Sequence, residues 1–202
     1  SRGLGDVYKR QELPRTVSDA QFFESRLRTA GPDSGVYRGL YSLLMARGAR
    51  DWRTAEPFTA ETVGQLQTRF RQVFPTEYLA VTGALDKDPE LADSVLNRTP
   101  MGRRTDVVME NNEPKRYLPR LQSKSLMDDA EFDAMLEGHE IRPADLLNSD
   151  WNSFIHDRRD RFVGIIEYAL DKPVVRDLDG ALGALGTRTD NADGENGSEA
   201  ES

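Results

Sequence analysis

The sequence predicts a mainly α-helical chain with one small β-hairpin, and three observations carry that prediction. Apolar residues recur at intervals of three and four along most of the chain, as one face of a helix requires. Gly48, Pro114, Gly138 and Pro173 stand at the ends of these periodic runs. Runs with strand character are few and short, the clearest being Ser94-Val95-Leu96 ahead of the turn-like Asn97-Arg98-Thr99-Pro100.

Ser18 is a good N-cap for a first helix carrying Phe22, Phe23 and Leu27 on one side and ending near Gly31-Pro32. Val36, Leu40, Leu43 and Leu44 predict a second helix, with Gly48 as its C-terminal stop. Thr59 opens a third, in which Val63, Leu66 and Phe70 share a face. After Phe74-Pro75 a short helix or turn leads through DKDPELAD, expected to be a polar loop. A further helix is expected from about Arg104-Thr105 to Asn111. Pro114 then suits the first position of a helix over KRYLPRL, because proline lacks the N–H that would be unpaired there. Phe132, Met135 and Leu136 predict another helix, closed by Gly138. The longest runs from Trp151 to Leu170 with Phe154, Ile155, Phe162, Ile165, Ile166 and Ala169 facing inward, and Pro173 ends it.

The totals exclude several classes. The chain has 202 residues, no Cys and two His, so disulfides and thiolate metal sites are ruled out. His139 and His156 lie in separate helical segments and are expected to be structural. No run of about 18 apolar residues occurs, so no membrane association is expected, and a cytoplasmic location follows. The formal net charge is −8, which argues against general coating of nucleic acid. The ends differ from the middle. Asp6 to Gln11, DVYKRQ, resembles the translation of a sequencing-adapter end, so residues 1–11 are expected to be non-native. Gly186 to Ser202 is rich in Asp, Glu, Asn, Gly and Ser, and residues 176–202 are expected to form an acidic disordered tail.

Between these ends lie FRQVFPTEYL, then SVLNRTPMGRRTDVVMENN, then EPKRYLPRL. This order of parts resembles the C-terminal HNH, or His-Me finger, module of GmrSD-type modification-dependent restriction endonuclease proteins. The likeness extends over residues 35–173, including Gly48-Ala49-Arg50-Asp51-Trp52 and Leu136-Glu137-Gly138-His139-Glu140-Ile141. It implies a helical domain enclosing a degenerate ββα element. Residues 58–175 would be the HNH-like domain, and residues 12–57 a helical segment joining it to a missing N-terminal ParB-like half with nucleotide-dependent activity. Carried over by position, the general-base histidine falls on Gln72, the bracing asparagine on Asn97, a residue near the metal on Asp106, and the residue before the base on Arg71. Gln72 has no group that titrates near neutral pH. Arg71 places a permanent positive charge where a divalent cation would sit. Asp106 and Asn97 alone make a weak magnesium site, so a divalent metal is expected only if the centre is active.

The stretch from Arg98 to Lys124 holds a local excess of basic residues over acids, and it is the one region expected to face DNA. Arg98, Arg103, Arg104, Lys115 and Arg116 are the candidate contacts. Arg158, Arg159 and Arg161 alternate with Asp157 and Asp160 and predict an ion-paired helix surface. Two functions follow: a DNA restriction or phage-defence module that has lost cleavage, or a helical protein-interaction module with no nucleic-acid role.

Overall fold

The computed structural model describes residues 21–178. The described chain is mainly helical and contains a two-stranded antiparallel sheet. In chain order the elements are α1 (Ser25–Thr29), α2 (Gly35–Ala46), α3 (Thr62–Gln65), β1 (Arg69–Gln72), α4 (Thr76–Val81), α5 (Ala84–Lys87), α6 (Pro89–Asp93), a 3-10 turn (Val95–Asn97), β2 (Arg98–Met101), α7 (Arg103–Met109), α8 (Pro114–Lys124), α9 (Asp129–Gly138), α10 (Pro143–Leu147) and α11 (Trp151–Leu170). No helix among the described residues is long and apolar enough to cross a membrane. Residues 1–11, Ser18 and the stretch 186–202 lie outside the described residues.

Local chemistry fixes several boundaries. Ser34 caps α2 by accepting from the Tyr37 N–H. At its other end Gly48 takes φ +90°, the left-handed conformation that costs glycine least. Asp128 and Glu131 form a reciprocal capping box on α9. Asp150 caps α11 through Ser153 N–H, and Pro114 sits at the start of α8.

Other boundaries depart from the sequence-based expectation. The first helix is only α1, because Phe22, Phe23 and Glu24 are pulled into a parallel bridge with Val175. Glu24 N–H donates to Val175 O (3.0 Å) and Val175 N–H to Phe22 O (2.8 Å). The helix expected from Thr59 through Phe70 is a single turn, since Gln67 takes φ +48° and redirects the chain. Phe70 therefore lies on β1. DKDPELAD is not an open loop but most of α5 and α6, with Asp88 accepting from Leu91 N–H to start the second. Ser94-Val95-Leu96 is not a strand either: Ser94 caps a 3-10 turn, and the following Arg98–Met101 is itself the strand. Ala169 faces solvent near the end of α11.

One hydrophobic cluster runs from Leu27 to Val174 and crosses position 57/58 without a break. Its largest members include Trp52, Phe74, Tyr117, Phe132, Phe154 and Phe162. Beyond residue 175, Asp177 accepts from Ser25 N–H at 2.9 Å, and Arg176 is paired with the buried Glu24.

Arg158 is the largest departure. It was expected on an ion-paired surface, yet it is fully buried, and Arg159 is 6% exposed. Arg161 alone of the three fits that expectation, pairing with Asp157 at 2.8 Å and with Glu137. Arg158 Nη1 donates to Leu96 O (2.8 Å) and Arg98 O (2.6 Å), and Nη2 donates to His139 O (3.1 Å). Its guanidinium carbon stands 4.7 Å from the Phe162 ring centre and 5.8 Å from that of Phe154. Burial lowers its pKa to about 10, which leaves it charged at neutral pH. Arg158→Met should therefore strand three buried carbonyls. The expected loss, at about 1.5–3 kcal/mol for each hydrogen bond to a charged group, exceeds about 3 kcal/mol in urea unfolding. Arg161→Met, on the surface of the same helix, should lose less than about 1 kcal/mol.

Candidate functional site at the end of the strand pair

β1 and β2 pair in the register Arg69↔Met101, Phe70↔Pro100, Arg71↔Thr99 and Gln72↔Arg98. Val73 N–H donates to Asn97 O at 2.7 Å and carries the pairing one residue further. Residues 73–97 thus leave and return at one point, and α7 follows β2 directly. This connectivity brings Arg71, Gln72, Asn97 and Asp106 to the same region from three parts of the sequence. Arg98 joins them. Lys115 and Arg116 are exposed at the start of α8 and line none of the grooves described below.

Three helices hold this strand pair from beneath. Tyr117 of α8 donates its hydroxyl to Val73 O at 2.8 Å, and Arg158 of α11 fastens Leu96 and Arg98 as described. His139, just after α9, bonds the Thr99 hydroxyl through Nδ1 and the Arg50 carbonyl through Nε2 at 2.6 Å. A carbonyl only accepts, so Nε2 carries the proton and Nδ1 accepts from Thr99. Burial pushes the His139 pKa down to about 4, so the ring is neutral and structural. His156 is exposed on α11, and Arg159 contacts its Nδ1 at 3.1 Å.

Asn97 is fully buried, and its side chain works as a brace. Its Oδ1 accepts from Phe74 N–H at 2.9 Å. Its Nδ2 donates to Phe74 O at 2.9 Å and to Ala92 O at 2.8 Å. The two ends of the 73–97 excursion are thereby closed on each other.

Gln72 ends β1 with every polar position of its side chain used. Nε2 donates to Asp93 Oδ1 (2.8 Å) and Ala92 O (3.0 Å). Oε1 accepts from Thr76 N–H (3.2 Å) and Thr76 Oγ1 (3.0 Å). Asp93 Oδ1 also accepts from Arg98 at 2.8 Å. Arg71 grips the two ends of one stretch of chain: it is ion-paired with Asp106, donates to Asp106 O at 3.0 Å, and donates to Glu110 O. Glu110 closes α7 at φ +52°, a region that costs a residue with a side chain on the order of 1–3 kcal/mol. The observed contacts at that strained carbonyl are those to Arg71.

These side chains line an open groove of about 370 Å³, together with Pro75, Thr76, Glu77 and Asn111. Arg71 and Arg98 are each paired with a carboxylate there, and Glu77 is exposed. No histidine lines it, and the Asp106 carboxylate is taken by a guanidinium. Among the described residues no group of three or more His, Asp or Glu side chains could hold a metal. Sequence reasoning missed Asp93, Tyr117, Thr76 and Asp51. Of these, Asp51 had a readable signal, since Asp-x-x-Thr favours a turn closed by the carboxylate onto the following N–H groups.

Asp51 is buried at the far end of the strand pair, where its carboxylate accepts from Gly102 N–H (2.8 Å), Thr105 Oγ1 (2.7 Å), Arg53 N–H and Thr54 N–H (both 3.1 Å). Burial opposes its ionisation, but the bonds from Thr105, Thr54, Gly102 and Arg53 prevail and hold its pKa below the ordinary value. Gly102 is needed there: a Cβ would meet Asp51 Oδ1 at 3.0 Å.

Comparison of the chain with models of protein families, with curated proteins and with solved structures finds no match.

The two buried groups set an acid limit. His139 has a folded pKa of about 4 against an ordinary 6.5, so the unfolded chain binds the proton first. Stability from this group is complete above pH 6.5 and is lost as pH falls towards 4, with a total on the order of 3 kcal/mol. Asp51 acts in the same direction at lower pH. Urea midpoints measured between pH 7 and 4 should fall in the wild type. In His139→Gln they should start lower and show a flatter slope across that window.

Proposed function

We propose that this chain carries a degenerate nuclease module, similar to the C-terminal His-Me finger part of GmrSD-type restriction proteins. In this reading it has lost phosphodiester cleavage and serves as a structural or DNA-contacting part of a larger cytoplasmic phage-defence protein. A ParB-like half of that protein would supply nucleotide-dependent activity. The observation that carries the reading is the convergence at one end of a strand pair. Gln72 closes the first strand, Asn97 braces the excursion between the strands, and Asp106 on the following helix meets Arg71. A His-Me finger needs a base at the first of these positions and a divalent cation near the third. Here a primary amide stands at one and a guanidinium occupies the other.

The substitutions are coupled. Arg71 supplies a fixed positive charge to Asp106 and to two backbone carbonyls, satisfying oxygens that a metal would otherwise attract. Gln72 offers two donors and an acceptor that takes two bonds, whereas a neutral imidazole donates once and accepts once. The alternative, a helical interaction module, draws on a different feature. An apolar groove of about 710 Å³ lies between α6 and α11, lined by Leu91, Leu96, Trp151 and Ile155. The convergent side chains at Gln72 favour the first reading.

Nicking of supercoiled plasmid in Mg²⁺ or Mn²⁺ tests it. Wild type and Gln72→His are both expected to leave the plasmid intact, because the histidine variant still lacks a free metal position. Metal-dependent nicking by the wild type that Asp106→Ala abolishes would overturn the proposal.

A further inference from the structure

We infer that a second groove, at the opposite end of the strand pair, is a phosphate-binding site built by Arg53, Arg103 and Arg104. The groove measures about 380 Å³ and lies between the 51–56 turn, the 65–67 turn and the start of α7. Arg103 N–H bonds Leu66 O at 2.9 Å, which fixes the last of these against the second.

The argument is one of charge pairing. This is an acidic chain, with 35 Asp and Glu against 27 Lys and Arg, so carboxylate partners are plentiful. Several arginines elsewhere find them: Arg28 with Asp88, Arg71 with Asp106, Arg98 with Asp93, Arg142 with Asp145 and Arg161 with Asp157. Three arginines line this one groove, and none makes an ion pair with the described residues. Arg103 reaches only the neutral Gln67 Oε1 at 3.1 Å. Arg53 Nε is buried without a hydrogen-bond partner. The one carboxylate in the floor, Asp51, is spent on the bonds already described, and Glu56 is exposed at the rim.

Three unpaired arginines from two segments, around a cavity with no accessible carboxylate in its floor, repel one another unless an anion joins them. Planar guanidinium forks match the oxygens of a phosphate group and can each donate two parallel hydrogen bonds. The ligand chemistry is therefore a phosphate, carried by a DNA backbone or by a free nucleotide. The inference stands apart from the nuclease ancestry, since none of the groove's arginines bears on whether Gln72 can act as a base. It also sharpens which part of the basic stretch contacts nucleic acid: Arg98 is committed to Asp93, while Arg103 and Arg104 are joined by Arg53 from outside that stretch.

Fluorescence anisotropy with a labelled DNA duplex of about 20 base pairs, at low salt, reads the first source, with a salt slope of about 0.9 per phosphate contact. Calorimetric titration with ADP reads the second. The wild type is expected to bind at least one probe. Arg53→Gln/Arg103→Gln/Arg104→Gln should weaken that binding at least tenfold, while Lys115→Gln/Arg116→Gln leaves it within twofold. A thermal melt of each variant checks folding, and Arg103→Gln/Arg104→Gln, which spares the half-buried Arg53, serves if the triple variant melts early. Loss of DNA binding with ADP unbound assigns the backbone, and loss of ADP binding assigns the nucleotide. No binding of either probe by the wild type overturns the inference. So does retained affinity in the arginine variants, or a larger loss in the Lys115/Arg116 variant.

Discussion

The buried guanidinium of Arg158 is the constraint on which the functional end of this molecule depends. Removing a charge from water costs several kcal/mol, and no carboxylate among the described residues forms a salt bridge with it. What offsets that cost is geometry. Three carbonyls, from Leu96, Arg98 and His139, converge on its Nη atoms, and two aromatic rings flank it. A cation can hold three carbonyls at once because each is an acceptor that would otherwise be buried unpaired. An apolar residue of the same volume would fill the space and satisfy none of them. Leu96 and Arg98 flank Asn97, so the contact that stabilises the core also sets the position of the brace and the start of β2.

From that fixed strand pair the two grooves acquire opposite characters. At the Gln72 end both guanidinium groups have a carboxylate, Arg71 with Asp106 and Arg98 with Asp93. At the Gly102 end the buried carboxylate of Asp51 is consumed by neutral donors, which leaves Arg53, Arg103 and Arg104 without an ion pair among the described residues. The difference does not come from net charge. It comes from where Asp51 is spent, since a carboxylate already accepting from four groups has little capacity left for a guanidinium beside it.

Much of the helical framework was legible in the sequence, because its signals are local. Gly48 after the Leu43-Leu44 pair and Pro114 at the start of α8 each act on the nearest turn of backbone, and the structure uses each accordingly. The failures are equally physical. Phe70 falls at helical spacing from Leu66 and Val63, but a left-handed Gln67 breaks the run, and no single residue type announces that bend. Phe22 and Phe23 look like a helix face until Val175, distant in sequence, offers their backbone a partner. Arg158 sits in a charged string that suggests a surface. Its burial depends on three carbonyls from two other segments, which no window around Arg158 contains. For the site, Gln72, Asn97, Asp106 and Arg71 could be named from the sequence because they lie in recognisable strings. Thr76 and Tyr117 lie in those strings too, but their roles, like that of Asp93, arise only once residues 73–97 fold back on the strands.

That fold-back explains why, on the proposed reading, loss of cleavage involves more than a missing base. The carboxamide of Gln72 ties β1 to α4 through Thr76 and to the end of α6 through Ala92 and Asp93, so it has become part of the closure that Asn97 begins. Arg71 in turn links β1 to the middle of α7 at Asp106 and to its C-terminal end at the strained carbonyl of Glu110. Each residue now carries structural bonds on a different neighbouring element. A change at Gln72 alone would disturb the loop without freeing Asp106, and a change at Arg71 alone would release Asp106 beside an amide that cannot accept a proton. On the proposed reading the adjacent substitutions would restrain each other from reverting, and two positions suited to chemistry would have become positions held by packing and hydrogen bonds.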